Sequence, residues 1–110
     1  MANGELKKGS TELIVLSLLV DRARHGYEIR KLVDQRSRGV VTLNVASLYP
    51  LLYRMETRRW IQGRWVEKPG ERRRRFYRIT PLGLEALSAQ RDIWREFSLA
   101  INRIIEVDHA

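Results

Sequence analysis

The sequence predicts a mainly α fold with one small β-hairpin (α+β), its elements following in the order ααα-ββ-α. Three observations carry this expectation. Apolar residues recur at helical spacing in three segments before residue 59. Two β-rich runs, residues 60–67 and 74–80, flank a loop that contains Pro69-Gly70. Thr80-Pro81 then opens a final helical pattern that extends to about Val107.

Residues 11–23 form the first expected helix, because Leu13, Leu16, Leu19 and Val20 recur at spacings of three and four and Ser10 can cap the free amides. A break at Arg24-His25-Gly26 precedes the second. There Tyr27, Ile29, Leu32 and Val33 are apolar, while Glu28, Arg30, Lys31, Asp34 and Gln35 are polar. Gly39 and the β-branched Val40-Val41-Thr42 mark a connection. The third helix carries Leu48, Leu52 and Met55 on one stripe and ends at Arg58. Its start is open between Asn44 and Ser47. A start after Asn44 puts Pro50 in the helix interior, whereas a start at Ser47 leaves the proline harmlessly in the first turn.

The last helix is longer than a chain of 110 residues needs for its own core. Ile93, Trp94, Phe97, Ala100, Ile101, Ile104 and Ile105 form a stripe wider than one face, opposite Asp92, Arg95, Glu96, Asn102, Arg103 and Glu106. An ordinary core helix is one explanation. The heptad-like excess favours packing against a second copy of the chain.

Composition narrows the function. A hydrophobic content of 44% supports a packed core, and a net charge of +8 with a pI near 10.6 points to a polyanionic partner. The absence of cysteine leaves no disulfide framework and no thiolate metal site, and no cofactor is called for. The apolar stretch from Leu13 to Val20 is too short to span a bilayer and lacks a small-residue cleavage site, so the expected location is cytoplasmic. An enzyme is a poor fit: His25 and His109 are far apart, with no Gly-rich phosphate loop and no metal-ligand cluster. His25 reads better as a turn or cap residue, and Glu28 and Glu56 as partners of nearby arginines.

The element order is that of a winged helix-turn-helix with an added C-terminal helix, in which the third helix enters the DNA major groove and the hairpin lies beside it. A run of like charge such as Arg72–Arg75 is usually a solvated face. Between a Lys68-Pro69-Gly70-Glu71 turn and the strand ending at Thr80, it becomes the tip and outgoing strand of the wing. Alternation then puts Arg74, Phe76 and Arg78 on one face and Arg75, Tyr77 and Ile79 on the other, with Tyr77 and Ile79 anchoring the wing to the core.

Three segments in this order and spacing carry a family resemblance: His25-Gly26-Tyr27-Glu28-Ile29; Ser47-Leu48-Tyr49-Pro50-Leu51-Leu52-Tyr53-Arg54-Met55-Glu56, leading to Ile61; and Arg73-Arg74-Arg75-Phe76-Tyr77-Arg78-Ile79-Thr80-Pro81-Leu82-Gly83. Over residues 10–106 the chain resembles the PadR-like transcriptional regulators, in particular the short subgroup with a single C-terminal dimerisation helix. The resemblance implies a homodimeric repressor that binds a palindromic operator and in some members is released by a small aromatic molecule. It places a DNA-binding domain at residues 1–80 and the dimerisation helix at 81–110. Where the family usually has glycine after the recognition helix, this chain has Arg59, which must either adopt a left-handed conformation or end the helix differently.

Carried onto this sequence, the DNA-binding candidates are Thr42, Asn44, Ser47, Tyr49, Tyr53 and Arg54 in and before the third helix, and Arg72, Arg73, Arg74 and Arg75 in the wing. Tyr49 can equally pack against the first helices. Ile93, Trp94, Phe97, Ala100, Ile101, Ile104 and Ile105 are the dimer candidates, and Trp94 is also the candidate for stacking on a planar ligand. A winged-helix module that binds RNA or an acidic protein is the alternative.

Overall fold

The computed structural model describes residues 3–106, with side chains from residue 9 onward. Its elements run α1 (Asn3–Leu18), β1 (Arg24–His25), α2 (Gly26–Arg36), α3 (Val45–Thr57), β2 (Ile61–Val66), β3 (Arg74–Ile79) and α4 (Pro81–Ile105). The order is the expected one with a single addition. Arg24 and His25 are extended and pair antiparallel with Tyr77 and Phe76, giving a three-stranded sheet in the order β1-β3-β2.

The first helix differs from expectation at both ends. It passes through Ser10, so that residue is not its cap, and it stops at Leu18 instead of continuing to residue 23. The stop has a chemical cause. Arg24, only 4% exposed, sends its Nε–H to the Leu18 carbonyl at 2.7 Å and its terminal nitrogens to Asp21 and Glu28, both at 3.1 Å. A buried guanidinium thus takes a carbonyl that the helix leaves without a partner and ties it to the next strand and helix. Val20, predicted in the apolar stripe, is exposed as a result, while Leu16 and Leu19 are buried.

His25 is the N-cap of α2, its Nδ1 accepting the Glu28 amide at 3.2 Å. Asn44 is the N-cap of α3, its Oδ1 accepting the Ser47 amide at 2.8 Å. The helix therefore starts directly after Asn44 and holds Pro50 in its interior, a placement that ordinarily costs about 3 kcal/mol. The amide missing at Pro50 would have bonded the carbonyl of Ala46, which sits on the exposed side of the helix.

Leu48, Leu51, Leu52 and Met55 of α3 meet Val15, Leu16 and Leu18 of α1, Leu19 just after it, and Ile29 and Val33 of α2 in one core. Ile61 and Tyr77 close that core from the sheet, and Leu87 from α4. The wing is anchored as expected, since Tyr77 is buried and Ile79 packs on the core.

Helix α3 ends in a Schellman-type turn. The Trp60 amide reaches back to the Met55 carbonyl and the Arg59 amide to the Glu56 carbonyl, both at 3.0 Å, and Arg59 between them has φ 63°. Arginine thus adopts the left-handed conformation in the place of the usual glycine, and the helix ends with unchanged geometry. Because a side chain in that region is strained by about 1–2 kcal/mol, Arg59→Gly is expected to raise stability by up to about 1 kcal/mol after the entropy lost to glycine. Urea unfolding should show a higher midpoint at unchanged m-value, and a lower midpoint would contradict the strain at this position.

Candidate nucleic-acid interface

Helical geometry separates the faces of α3. At about 100° per residue, the side opposite Leu48, Leu51, Leu52 and Met55 is centred on Ala46, Pro50, Tyr53 and Thr57. All four are exposed. Ser47 and Arg54 flank this stripe on one side and Tyr49 on the other, with Thr42 and Asn44 exposed at the approach. Sequence reasoning singled out the polar residues and passed over Ala46, Pro50 and Thr57. Their signal was available in the same periodicity, read for the face it leaves outside.

Tyr49 packs against the start of α2, one of the two roles considered for it. Its ring lies across Gly26, where a Cβ would overlap the phenol, yet it remains 44% exposed between α3 and the wing. Glycine at the start of α2 is what lets an aromatic side chain of α3 cross it.

The wing turns at Lys68-Pro69-Gly70-Glu71. The Glu71 amide bonds to the Lys68 carbonyl at 3.0 Å and Gly70 has φ 76°, as a turn with proline second and glycine third requires. Pairing of Trp65 with Arg75 and of Val66 with Arg74 then assigns the arginines to opposite faces of the sheet.

Arg75 faces α3. Its Nη2 meets Glu56 Oε2 at 2.5 Å, and the Gly63 amide donates to the same oxygen at 3.2 Å. The Arg75 side chain crosses Gly63 where a Cβ would overlap the guanidinium. Helix α3 and both strands of the wing are thereby joined through one carboxylate. Trp65, half-exposed and not foreseen as a site residue, stacks under Arg73 at 4.3 Å and Arg75 at 5.4 Å. Cation–π contact holds both guanidinium groups along the ring. Arg73 also approaches Glu67 at 3.7 Å, while Arg72 has no hydrogen bond or ion pair among the described residues.

Arg74 lies on the opposite face beside His25, its Nη1 3.1 Å from Nε2. Phe76 meets the same imidazole edge-on at 5.1 Å between centroids. Burial holds the His25 pKa below its usual value, and the positive charge of Arg74 acts in the same direction, against a smaller opposing effect of Glu28. Both effects disfavour an imidazolium whose Nδ1 must stay unprotonated to cap α2.

Behind the interface, Glu12 is 6% exposed and holds the end of α3 against α4. Arg58 Nη1 donates to its Oε2 at 2.8 Å and Gln90 Nε2 to its Oε1 at 3.1 Å. Past Gln90 lies a cavity of about 240 Å³ lined by Gly9, Ser10, Leu13, Ile93, Trp94 and Phe97. Trp94 and Phe97 meet at 6.1 Å. Of the seven dimer candidates only Ile101 is partly covered; the other six are exposed, and Leu99, which the stripe did not include, is exposed too.

Comparison with known proteins bears on this arrangement. The family model described as the PadR-like transcriptional regulators matches residues 15–89, from the last turn of α1 to the first turns of α4. The chain belongs to the PadR-like family of transcriptional regulators. A transcriptional regulator from Clostridium thermocellum is similar at 28% identity and TM-score 0.82, over 90% of this chain and 96% of that one. A PadR-like transcriptional regulator from Bacillus cereus is similar at 28% identity and TM-score 0.76, over 92% and 96%. A protein from Lysinibacillus sphaericus is 28% identical over 106 residues, 96% of this chain and 97% of its own.

Membership makes this PadR-like chain a transcriptional regulator, with DNA binding implied, and not an enzyme. The winged helix is the fold its solved relatives share. Among the described residues no helix is long and apolar enough to cross a membrane, and no group of three His, Asp or Glu side chains is placed to hold a metal.

A histidine whose folded pKa is lowered stabilises the fold fully above its unfolded pKa, about 6.5. That stability is lost as pH falls toward the folded value, because the unfolded chain takes up the proton first. Stability should therefore decline as pH is lowered from roughly 7 to 5.5, and His25→Asn, which caps without titrating, should flatten the decline. Equal slopes for the two proteins in urea melts across this range would refute the role given to His25.

Proposed function

We propose that the protein is a homodimeric repressor that acts in the cytoplasm on a palindromic DNA operator and is released by a small aromatic ligand. In this reading residues 1–80 are the DNA-binding domain and 81–110 carry the dimerisation helix. The observation that carries it is the junction of α3 and wing. Tyr49 of α3 and the wing arginines Arg72, Arg73, Arg74 and Arg75 line one hollow, and the Glu56 carboxylate that Arg75 and Gly63 share fixes the wing beside the helix.

The division of labour follows from chemistry. Arg72 and Arg73 are exposed guanidinium groups suited to phosphate, where contacts supply affinity and orientation. Arg75 contributes first by holding the wing to α3. Arg74, engaged with His25 at the edge of the same hollow, is less free than Arg72, and at least two of the four arginines are expected to contact DNA. On α3, Ser47 and Arg54 flank the exposed stripe on the side away from Tyr49, within reach of a phosphate backbone or a base edge. Asn44 commits its Oδ1 to the helix cap and keeps its amide NH₂ for a phosphate.

Selection of bound sequences from a random duplex pool tests partner, symmetry and specificity together. Inverted repeats should be enriched; binding without sequence preference would favour an RNA- or protein-binding module instead. Replacing Arg72 to Arg75 by glutamine should weaken duplex binding and reduce the slope of log K against log salt by about one unit per lost phosphate contact. An unchanged slope would remove the wing from the interface.

For the dimer, α4 is about 37 Å long, and its second half leaves Ile93, Trp94, Phe97, Leu99, Ile104 and Ile105 exposed, the kind of apolar surface that marks an interaction site. Trp94, 44% exposed at the mouth of the cavity behind Gln90, is the group on which a planar ligand would stack. Ile104→Asp should sediment as a monomer where the parent sediments as a dimer, and a dimeric variant would contradict the seam. Planar aromatic compounds should quench the parent's tryptophan emission, and a Trp94→Ala variant that binds them equally well would rule out this site.

A further inference from the structure

We propose that α3 reads thymine, through contact of the exposed Ala46–Pro50–Tyr53–Thr57 stripe with thymine C5-methyl groups on the major-groove floor. This deepens the DNA-binding reading given above and rests on it.

Base edges in the major groove present hydrogen-bond donors and acceptors to every side chain that enters, and the thymine methyl is the one apolar group among them. The centre of the outward face of α3 has little with which to answer donors and acceptors. Ala46 and Pro50 are apolar. The Thr57 hydroxyl gives its one proton to the Tyr53 carbonyl at 2.9 Å and has only acceptor capacity left. Only the Tyr53 hydroxyl is a polar side-chain group without a hydrogen bond among the described residues of the stripe. Arg54 and Ser47, the groups able to pair with a base or phosphate, lie off the centre.

The second observation is the cost that Pro50 imposes. It sits in the interior of α3, lacks the amide the helix would use, is exposed and takes no part in the core. A residue that weakens its own helix and packs nothing inside has its use on the outside. Together with Ala46, one turn earlier on the same face, it makes a small, rigid apolar patch that lets the helix approach the base pairs closely. The surroundings select a polyanion as what covers it. Arg54 flanks the stripe on one side, and Arg72 to Arg75 line the hollow beyond Tyr49 on the other. A methyl-bearing groove floor between two phosphate backbones fits this pattern, whereas a greasy protein partner would leave Arg54 and Arg72 without a counter-charge.

The test uses the full-length protein and a duplex recovered by selection. Each thymine of a half-site is replaced in turn by deoxyuridine, which removes only the methyl and keeps the Watson–Crick pairing. At one or two positions per half-site, binding should weaken about two- to fivefold, the value of burying one methyl. Pro50→Ala, which should strengthen α3 rather than unfold it, and Ala46→Gly should each lose the thymine-over-uracil preference at one of those positions. Uniform tolerance of uracil in a duplex that is otherwise bound specifically overturns this inference and leaves the operator reading intact. Full retention of the preference in both variants overturns the assignment to this face. Absence of any sequence preference overturns the operator reading, and the thymine reading with it.

Discussion

Everything that positions the interface converges on one crowded junction, where α3 ends, the wing begins and α4 starts. The Thr80 amide bonds the Trp60 carbonyl at 3.0 Å, and its hydroxyl lies 2.6 Å from the Arg59 carbonyl and accepts the Gly83 amide at 3.0 Å. Gly83 approaches so closely that a Cβ there would overlap the Trp60 carbonyl. One threonine thus closes the sheet, caps the last helix and holds the turn after α3, while the left-handed Arg59 lets that turn be tight. Any loosening here would change the angle of the wing and the direction of α4 together.

Two carboxylates extend this constraint outward. Glu56 fastens the wing to α3 through Arg75 and the Gly63 amide, and buried Glu12 fastens α1 to both α3 and α4 through Arg58 and Gln90. Charge-assisted hydrogen bonds in partly buried settings are stronger and more directional than exposed ion pairs, which suits them to fixing orientation. A chain of net charge +8 therefore spends a few of its acids on geometry, and arginines such as Arg54 and Arg72, which have no ion pair among the described residues, stay available to attract a polyanion.

Much of this was legible in the sequence because the signals were local. The Thr80-Pro81 start, the Pro69-Gly70 turn, the strand alternation from Arg74 to Ile79 and the left-handed alternative at Arg59 each depend on a few neighbouring residues. His25 as a cap and Glu28 and Glu56 as arginine partners were legible for the same reason. What escaped was non-local. The two-residue strand β1 exists only because Tyr77 and Phe76 lie beside it, and α1 stops at Leu18 because a guanidinium six residues later takes its carbonyl. Pro50 argued locally for a later helix start, yet Asn44 supplied a better cap and tertiary packing of Leu48 absorbed the cost. On the site, sequence reasoning weighted charged and hydroxyl groups. It gave no place to Trp65, whose task of holding Arg73 and Arg75 appears only once the strands are paired.

The central claim is that helix, wing and α4 form one pre-set unit before DNA arrives. Hydrogen exchange of the free protein measures this at the amides that cross the junction, those of Thr80, Gly83, Trp60 and Gly63. They should exchange slowly and become exposed together with the core of α3, as parts of one cooperative unit. Rapid exchange at Thr80 and Gly63 while Leu51 and Leu52 stay protected would mean that the wing swings freely, and would contradict the account.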